Sequence, residues 1–163
     1  PALDLISQIA FSETSPLYRK LVIEEQLVDS LYGGAADRRD PNLFVISARI
    51  KDSEAIDRVQ AALDATLEDL KAQPTDSRRL EDTKSHLKYS FQMRLDTADS
   101  VASTLTHILE LTGEPEAYNE LYRTYDSLSA ADLQEVARKY FRKENRTVVL
   151  LRSATASGNG PKP

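Results

Sequence analysis

The chain has 163 residues, of which 40% are hydrophobic and 29% are charged, a composition typical of one globular domain. Its formal net charge of −5 leaves no basic surface for nucleic acid, which we do not expect as a partner. The absence of cysteine excludes disulfides and thiolate metal sites but leaves the compartment open. No apolar run is long enough to predict a membrane span, and no signal peptide is visible.

The first ten residues are typical of an amphipathic helix, because Leu3, Ile6, Ile9 and Ala10 fall on one face. The helix begins without a methionine, a capping residue or a preceding strand. We therefore expect the chain to be a fragment, truncated at its N-terminus, whose upstream sheet strands are missing.

A second helix and a β-hairpin are predicted between residues 15 and 50. Ser15 is a suitable N-cap and Pro16 suits the first helical position. At Leu27 the helical period gives way to an extended run, with a first strand at Val28–Gly34 and a turn or bulge at Gly33-Gly34. A second strand at Leu43–Lys51 alternates in polarity, and its side chains predicted to lie under the helices are Phe44, Ile46, Ala48 and Ile50.

Two long helices are predicted after the hairpin. Asp52 or Ser53 caps the first, which runs to about Ala72, and Thr75 is the predicted cap of the second, which runs to about Leu95. The short connection between them predicts an antiparallel pair.

A third long helix opens at Asp96 or Thr97 and ends at Gly113, which suits the left-handed position after a helix. The residues predicted to form its apolar face are Val101, Leu105, Ile108 and Leu109.

The remaining residues predict two shorter helices, a last strand and a tail. One helix follows Pro115, and Ser129 with Asp132 resembles a capping box for the other. Thr147–Leu151 is short and rich in β-branched residues, which favours a strand. Residues 153–163 predict a disordered tail. The fold class is therefore α+β, a small antiparallel or mixed sheet covered on one face by several helices.

The two histidines do not predict a metal site. His107-Ile108-Leu109-Glu110-Leu111 resembles H-x-x-E-H, but leucine stands where the second histidine ligand belongs. His107 and Glu110 are predicted to face solvent, and one histidine with one carboxylate falls short of the three protein ligands usual for zinc. His86 has only Asp82 at a suitable helical spacing. We expect neither catalytic residues nor metal ligands in this chain.

Five segments together resemble a known family. In chain order they are SPLYRKLVIEEQLVDSL, RDPNLFVISARI, LEDTKSHLKYSFQMRLDT, ELTGEPEAYNELY and LSAADLQEVARKYFRKENRTVVLL. Their order and spacing resemble the C-terminal domains of insulinase/pitrilysin-type zinc metallopeptidases, the inverzincins. The resemblance extends to Arg152, so that residues 1–152 are expected to be a partial C-terminal domain of this type.

The resemblance implies a clamshell of two halves, each with two related α+β domains. Its zinc is held by H-x-x-E-H and a distant glutamate in the first domain of the catalytic half. The opposing half often supplies an arginine and a tyrosine seven residues later, which hold the substrate peptide. In the register set by Ser15, Leu17 and Ser30, these clamp positions are Val22 and Asp29, so the clamp pair is absent.

The implied function is that of a non-catalytic domain beside a zinc domain, forming part of the peptide-binding chamber of a zinc endopeptidase. The implied partners are the upstream zinc domain of the same protein, a second clamshell half and peptide substrates; the implied setting is the bacterial cytoplasm or periplasm, as a soluble protein. The alternative is a scaffold domain in a family member without zinc, in a processing or respiratory complex. An unrelated helical adaptor, a third interpretation, predicts no hairpin.

Overall fold

The computed structural model describes residues 1–152, which form an antiparallel hairpin with helices on one face. The helices and strands are α1 (Ala2–Phe11), α2 (Pro16–Tyr18), β1 (Val28–Ala35), β2 (Phe44–Ile50), α3 (Ile56–Ala72), α4 (Ser77–Arg94), α5 (Ala98–Thr112), α6 (Ala117–Ser127) and α7 (Ala130–Tyr140). A π-helical turn at Arg19–Glu24 continues α2, and 3-10 turns lie at Ser53–Ala55 and Lys143–Asn145. The α+β class is confirmed, and the predicted disordered tail lies outside the described residues.

The predicted inward face of β2 is correct, but its burial is smaller than expected. β1 and β2 pair in register with Gly33 opposite Ile46 and Ala35 opposite Phe44. The inward side chains of β2 are half-buried, whereas Val28 and Leu31 of β1 are buried. The difference arises because α1 and the π-helical turn pack on β1, while β2 is the outer strand.

The predicted last strand at Thr147–Leu151 does not form in the described structure, whose sheet contains β1 and β2 alone. Val148 to Leu151 make no ladder, and Leu151 is 95% exposed. β-branched residues are favoured in strands because their side chains pack well on a pleated, half-buried surface. Such a segment forms a strand only where the edge of another strand is available for pairing. Arg146 forms an ion pair with Asp64 of α3, which holds the beginning of this segment against the helical layer.

Two hydrophobic clusters meet at α1. The first joins α1 to α4, α6 and α7 through Leu5, Ile6, Ile9, Leu80, Tyr125, Leu133 and Ala137. The second joins α1 to the hairpin and α3 through Ala10, Phe11, Leu17, Leu21, Val28, Leu31 and Val59. Burial of a large apolar side chain contributes about 1.5–3 kcal/mol. The first helix is therefore central to the core.

Most predicted helix ends are confirmed. The hydroxyl of Ser15 accepts the Tyr18 N–H, Gly113 ends α5 with φ of +80°, and Ser129 forms the expected capping box with Asp132. Thr97 also caps α5 as expected, whereas Asp52 caps the 3-10 turn that leads into α3. One cap was wrong: Asp76, and not Thr75, precedes α4. Asp76 lies three residues before Arg79, whose backbone N–H has no partner within the first turn of the helix. The Asp76 Oδ1 accepts a hydrogen bond from this N–H at 2.9 Å.

The predicted apolar face of α5 is only partly correct. Ile108 is buried and Val101 is half-buried, but Leu105 and Leu109 are 41% and 45% exposed. The apolar face of α5 is wider than the part of it that α6 covers. α5 packs against α6 with one side of this face. The other side remains exposed.

Polar side chains join the helices at their ends. The Arg79 guanidinium donates to the Ile9 carbonyl at 2.7 Å, near the C-terminus of α1. The Arg138 guanidinium donates to the Lys71 carbonyl at 2.8 Å, at the C-terminus of α3. Cations at these positions satisfy carbonyl groups that a helix leaves without partners.

Candidate functional site

His107 and Glu110 lie exposed on α5. They line a cavity of about 420 Å³ with Leu111 and with the β1–β2 loop, whose lining residues are Asp37, Arg38, Arg39 and Asp40. The sequence did not indicate that this loop lies beside α5. The residues that line the cavity carry charges of both signs. The guanidinium groups of Arg38 and Arg39 would repel a cation bound there.

The structure brings together no metal-binding cluster of three or more histidine and acidic side chains within residues 1–152. His86 is exposed on α4, where its Nε2 lies 3.5 Å from the Ser90 hydroxyl. Asp82, the carboxylate that could have paired with His86, lies 3.9 Å from the guanidinium of Arg78. Residues 1–152 therefore present no ligand set for zinc, which the family resemblance places in another domain of the parent protein.

The two residues predicted to stand at the family's clamp positions, Val22 and Asp29, lie in the π-helical turn and in β1. Val22 is half-buried against the second hydrophobic cluster, so it offers no polar group to a ligand. Asp29 is exposed and lies 3.9 Å from Arg49 and 3.7 Å from Lys51. An aliphatic side chain and a carboxylate cannot supply the cation and the phenol of the family's clamp.

The π-helical turn ends in an unusual backbone conformation. Its wide hydrogen bonding is visible where the Glu25 N–H donates to the Lys20 carbonyl at 2.9 Å. Gln26 then takes a positive φ of 52°, and the Leu27 N–H returns to the Leu21 carbonyl at 2.9 Å. This left-handed residue ends the helix and directs the chain into β1.

Gly33 and Gly34 lie inside β1, opposite Ile46 and Val45, and not in a turn or bulge as predicted. A Cβ on Gly33 would lie 2.4 Å from the ring of Phe11, on the helical side of the sheet. A Cβ on Gly34 would lie 2.6 Å from the Tyr32 hydroxyl. The glycines thus make room for one aromatic ring each, a packing role that sequence reasoning missed.

The other face of the hairpin carries no helix in the described part of the chain, and we call it the helix-free face. It presents Tyr32, which is 57% exposed, and Val45, which is 49% exposed. These alternate along the strands with the inward side chains, as the period of a strand requires. The exposed polar residues of β2 on this face are Ser47 and Arg49.

A cluster of aromatic rings joins α4 to α6. Phe91 stacks on Tyr118 with ring centroids 4.2 Å apart, and Tyr122 lies 5.1 Å from Phe91. Burial raises the pKa of Tyr122 to about 12. Burial also raises the pKa of Tyr125, whose hydroxyl donates to Asp4 at 2.9 Å. These phenols remain neutral and serve packing.

A hairpin with helices on one face defines an α+β domain, and residues 1–152 of it contain no cluster of three or more potential metal ligands. The chain belongs to the peptidase M16 family, since the family model described as "Peptidase M16 inactive domain" matches residues 1–87, more than half of the chain. The resemblance to the C-terminal, inactive domains of insulinase-type proteins is thereby confirmed.

Known proteins support the assignment. The zinc protease PqqE of Helicobacter pylori is 24% identical over 152 residues, which are 93% of this chain and 34% of that protein. The crystal structure of a protease from the same organism superposes with a TM-score of 0.76 at 24% identity, over 88% of this chain and 35% of that chain. The inactive peptidase domain of a predicted zinc protease from Bordetella parapertussis gives a TM-score of 0.74 at 25% identity, over 90% and 79%.

This chain therefore spans about a third of the length of the curated relative that it matches. Among the described residues, no helix is both long enough and apolar enough to cross a membrane.

Proposed function

We propose that residues 1–152 form the non-catalytic C-terminal domain of a zinc-dependent endopeptidase and line part of its peptide-binding chamber. The observation that carries the proposal is the helix-free face of the hairpin, which exposes Tyr32 and Val45 in a domain of the peptidase M16 family. Zinc and its general base would belong to another domain of the same protein, because His107 and Glu110 form no ligand set here. A second clamshell half is the further partner we propose.

The hairpin offers both parts of an extended-peptide site. Within residues 1–152, β2 pairs with β1 alone, so its second edge presents backbone N–H and C=O groups. An extended peptide can satisfy such an edge by adding a strand. Tyr32 and Val45 would contact its side chains on the helix-free face. This domain would hold a peptide in extended form while the chemistry takes place elsewhere.

The test uses the intact parent protein and a peptide that becomes fluorescent on cleavage. Val45→Asp places a charge on the helix-free face next to the open edge, which disfavours strand addition. We expect KM to rise several-fold while kcat and the thermal midpoint stay close to wild type. The matched control is Met93→Asp on α4, where the original side chain is 62% exposed. An unchanged KM for Val45→Asp, or an equal rise for Met93→Asp, would contradict the chamber role.

The second candidate role is that of a scaffold domain in a family member that has no zinc site. The predicted clamp positions hold an aliphatic residue, Val22, and a carboxylate, Asp29, and residues 1–152 contain no cluster of three or more potential metal ligands, so a parent without zinc is compatible with this chain. The zinc content of the purified parent protein separates the two roles. One zinc per chain together with peptide hydrolysis supports the endopeptidase, and the absence of both supports the scaffold.

A further inference from the structure

The helix-free face changes in character along β2. Near the β1–β2 loop it is apolar, because Val45 and, two residues earlier, Leu43 are exposed. The phenol of Tyr32 extends over Gly34, the residue paired with Val45, and adds an aromatic ring to the same end. Four residues after Val45 the face presents the exposed guanidinium of Arg49. One end of the face therefore offers apolar contacts, and the other end offers a cation.

The cationic end carries an excess of positive charge. Asp29 of β1 is shared between two cations, since it lies 3.9 Å from the Arg49 Nε and 3.7 Å from the Lys51 Nζ. Both distances exceed that of a hydrogen bond, so neither cation is fully paired. Asp52, the next carboxylate along the chain, caps the 3-10 turn that follows β2. Arg49 and Lys51 thus share one carboxylate, which leaves one positive charge for a ligand.

The open edge of β2 sets the distance between the two ends as a bound peptide would meet them. α1 lies against β1, where the Ser7 hydroxyl donates to the Gly33 carbonyl, whereas β2 pairs with β1 alone within residues 1–152. A peptide strand added to β2 places every second side chain on the helix-free face. Its side chains beside Val45 and Arg49 are four residues apart, about 13 Å at about 3.3 Å per residue.

We propose that the β2 edge selects extended peptides in which an acidic residue stands four positions from an apolar one. The acidic side chain lies beside Arg49 and the apolar side chain beside Val45. A carboxylate can accept two parallel hydrogen bonds from a guanidinium. Opposite charges on adjacent strands stabilise the pairing, and like charges destabilise it, so lysine at the acidic position is disfavoured. This inference rests on the proposed function, because it names the substrate class of the same face.

Fluorescence anisotropy measures peptide binding to the full chain without any need for cleavage. Two labelled peptides carry leucine at the centre and either glutamate or lysine four residues to each side, so that both strand directions present the same residues. We expect the glutamate peptide to bind the wild-type chain about three- to tenfold more tightly than the lysine peptide. Arg49→Glu should reverse this preference. Arg78→Glu is the matched control, because the Arg78 Nε also lies 3.9 Å from a carboxylate, Asp82, but stands on α4.

The spacing is tested by moving both charges to three residues from the central leucine. The charged side chains then lie on the other face of the added strand, and the preference for glutamate should disappear. Equal affinities for the two original peptides, no binding of either, or the same reversal by Arg78→Glu would overturn the inference. The effect of Val45→Asp on KM decides the chamber role separately, so a failure of the charge selection leaves that role standing.

Discussion

Gly33→Ala should destabilise the domain, although alanine is ordinarily better than glycine in a strand. The added Cβ would lie 2.4 Å from both Cδ2 and Cγ of Phe11, and 2.9 Å from its Cβ. Phe11 is 2% exposed, and its ring packs 6.0 Å from that of Phe44. The contact involves the base of a buried ring and not the flexible end of an exposed side chain. Relief would therefore require α1 to move away from β1.

The magnitude follows from two opposing effects. Overpacking a core typically costs about 1–3 kcal/mol. Replacing glycine in a strand interior gains about 0.5–1 kcal/mol in conformational entropy. Because the 2.4 Å contacts are with a buried ring, the upper half of the overpacking range applies, and the free energy of unfolding should fall by about 1–2.5 kcal/mol. Gly34→Ala is the matched control, because its Cβ meets the hydroxyl of Tyr32, which is exposed and can turn away.

Urea unfolding followed by circular dichroism measures both variants. The midpoint should fall for Gly33→Ala with an unchanged slope, and Gly34→Ala should remain within about 0.5 kcal/mol of wild type. Gly33→Ala should cost less stability when it is added to Phe11→Leu than when it is added to the wild-type chain. The leucine leaves room for the methyl group that the phenylalanine ring does not. A Gly33→Ala variant as stable as wild type would refute the reasoning.

Three further predictions concern stability. Gln26→Gly should raise the free energy of unfolding by about 1 kcal/mol by relieving a left-handed residue, and Gln26→Ala should leave it unchanged; thermal unfolding measures both. Asp76→Ala should lower the thermal midpoint, with a loss of about 1 kcal/mol for the helix cap, whereas Thr75→Ala should not. Burial raises the pKa values of Tyr122 and Tyr125 above their usual value near 10, so the stability that their neutral forms contribute is complete below pH 10 and is lost as the pH rises further; Tyr125→Phe should reduce the fall of the urea midpoint above pH 10.

Local signals predicted the local structure well. The hydroxyl of Ser15, the left-handed Gly113 and the Ser129 capping box act over three or four residues, so the sequence contains everything that decides them. The change from a helical to an alternating period likewise placed β1 and β2. Errors of one residue, such as Thr75 for Asp76, occur where two neighbouring residues are both suitable caps.

Features that depend on distant partners could not be predicted in the same way. The role of Gly33 depends on Phe11, 22 residues earlier, whose ring occupies the space of the missing side chain. The exposure of Leu105 depends on the single side from which α6 covers α5. Thr147–Leu151 has the composition of a strand, but the described residues bring no strand edge to it. Periodicity identifies apolar faces, and tertiary contacts decide which of them are covered.

The candidate site shows the same division. Ligand counting gave the prediction that His107 and Glu110 would not form a zinc site, and both side chains are exposed. The proximity of the β1–β2 loop to these two residues was not predictable, because it depends on how the hairpin packs against the helices. The assignment of the clamp positions to Val22 and Asp29 rests on the family resemblance alone and stays a prediction.

The most direct test of the central claim compares this chain alone with this chain mixed with the zinc-binding domain of its parent protein. Zinc content and the cleavage of a peptide that becomes fluorescent are measured on both samples, with His107→Ala as a matched variant. The account predicts neither stoichiometric zinc nor hydrolysis by the chain alone, and hydrolysis by the mixture that His107→Ala does not change. Micromolar one-to-one zinc binding by the chain alone, abolished by His107→Ala, would contradict it.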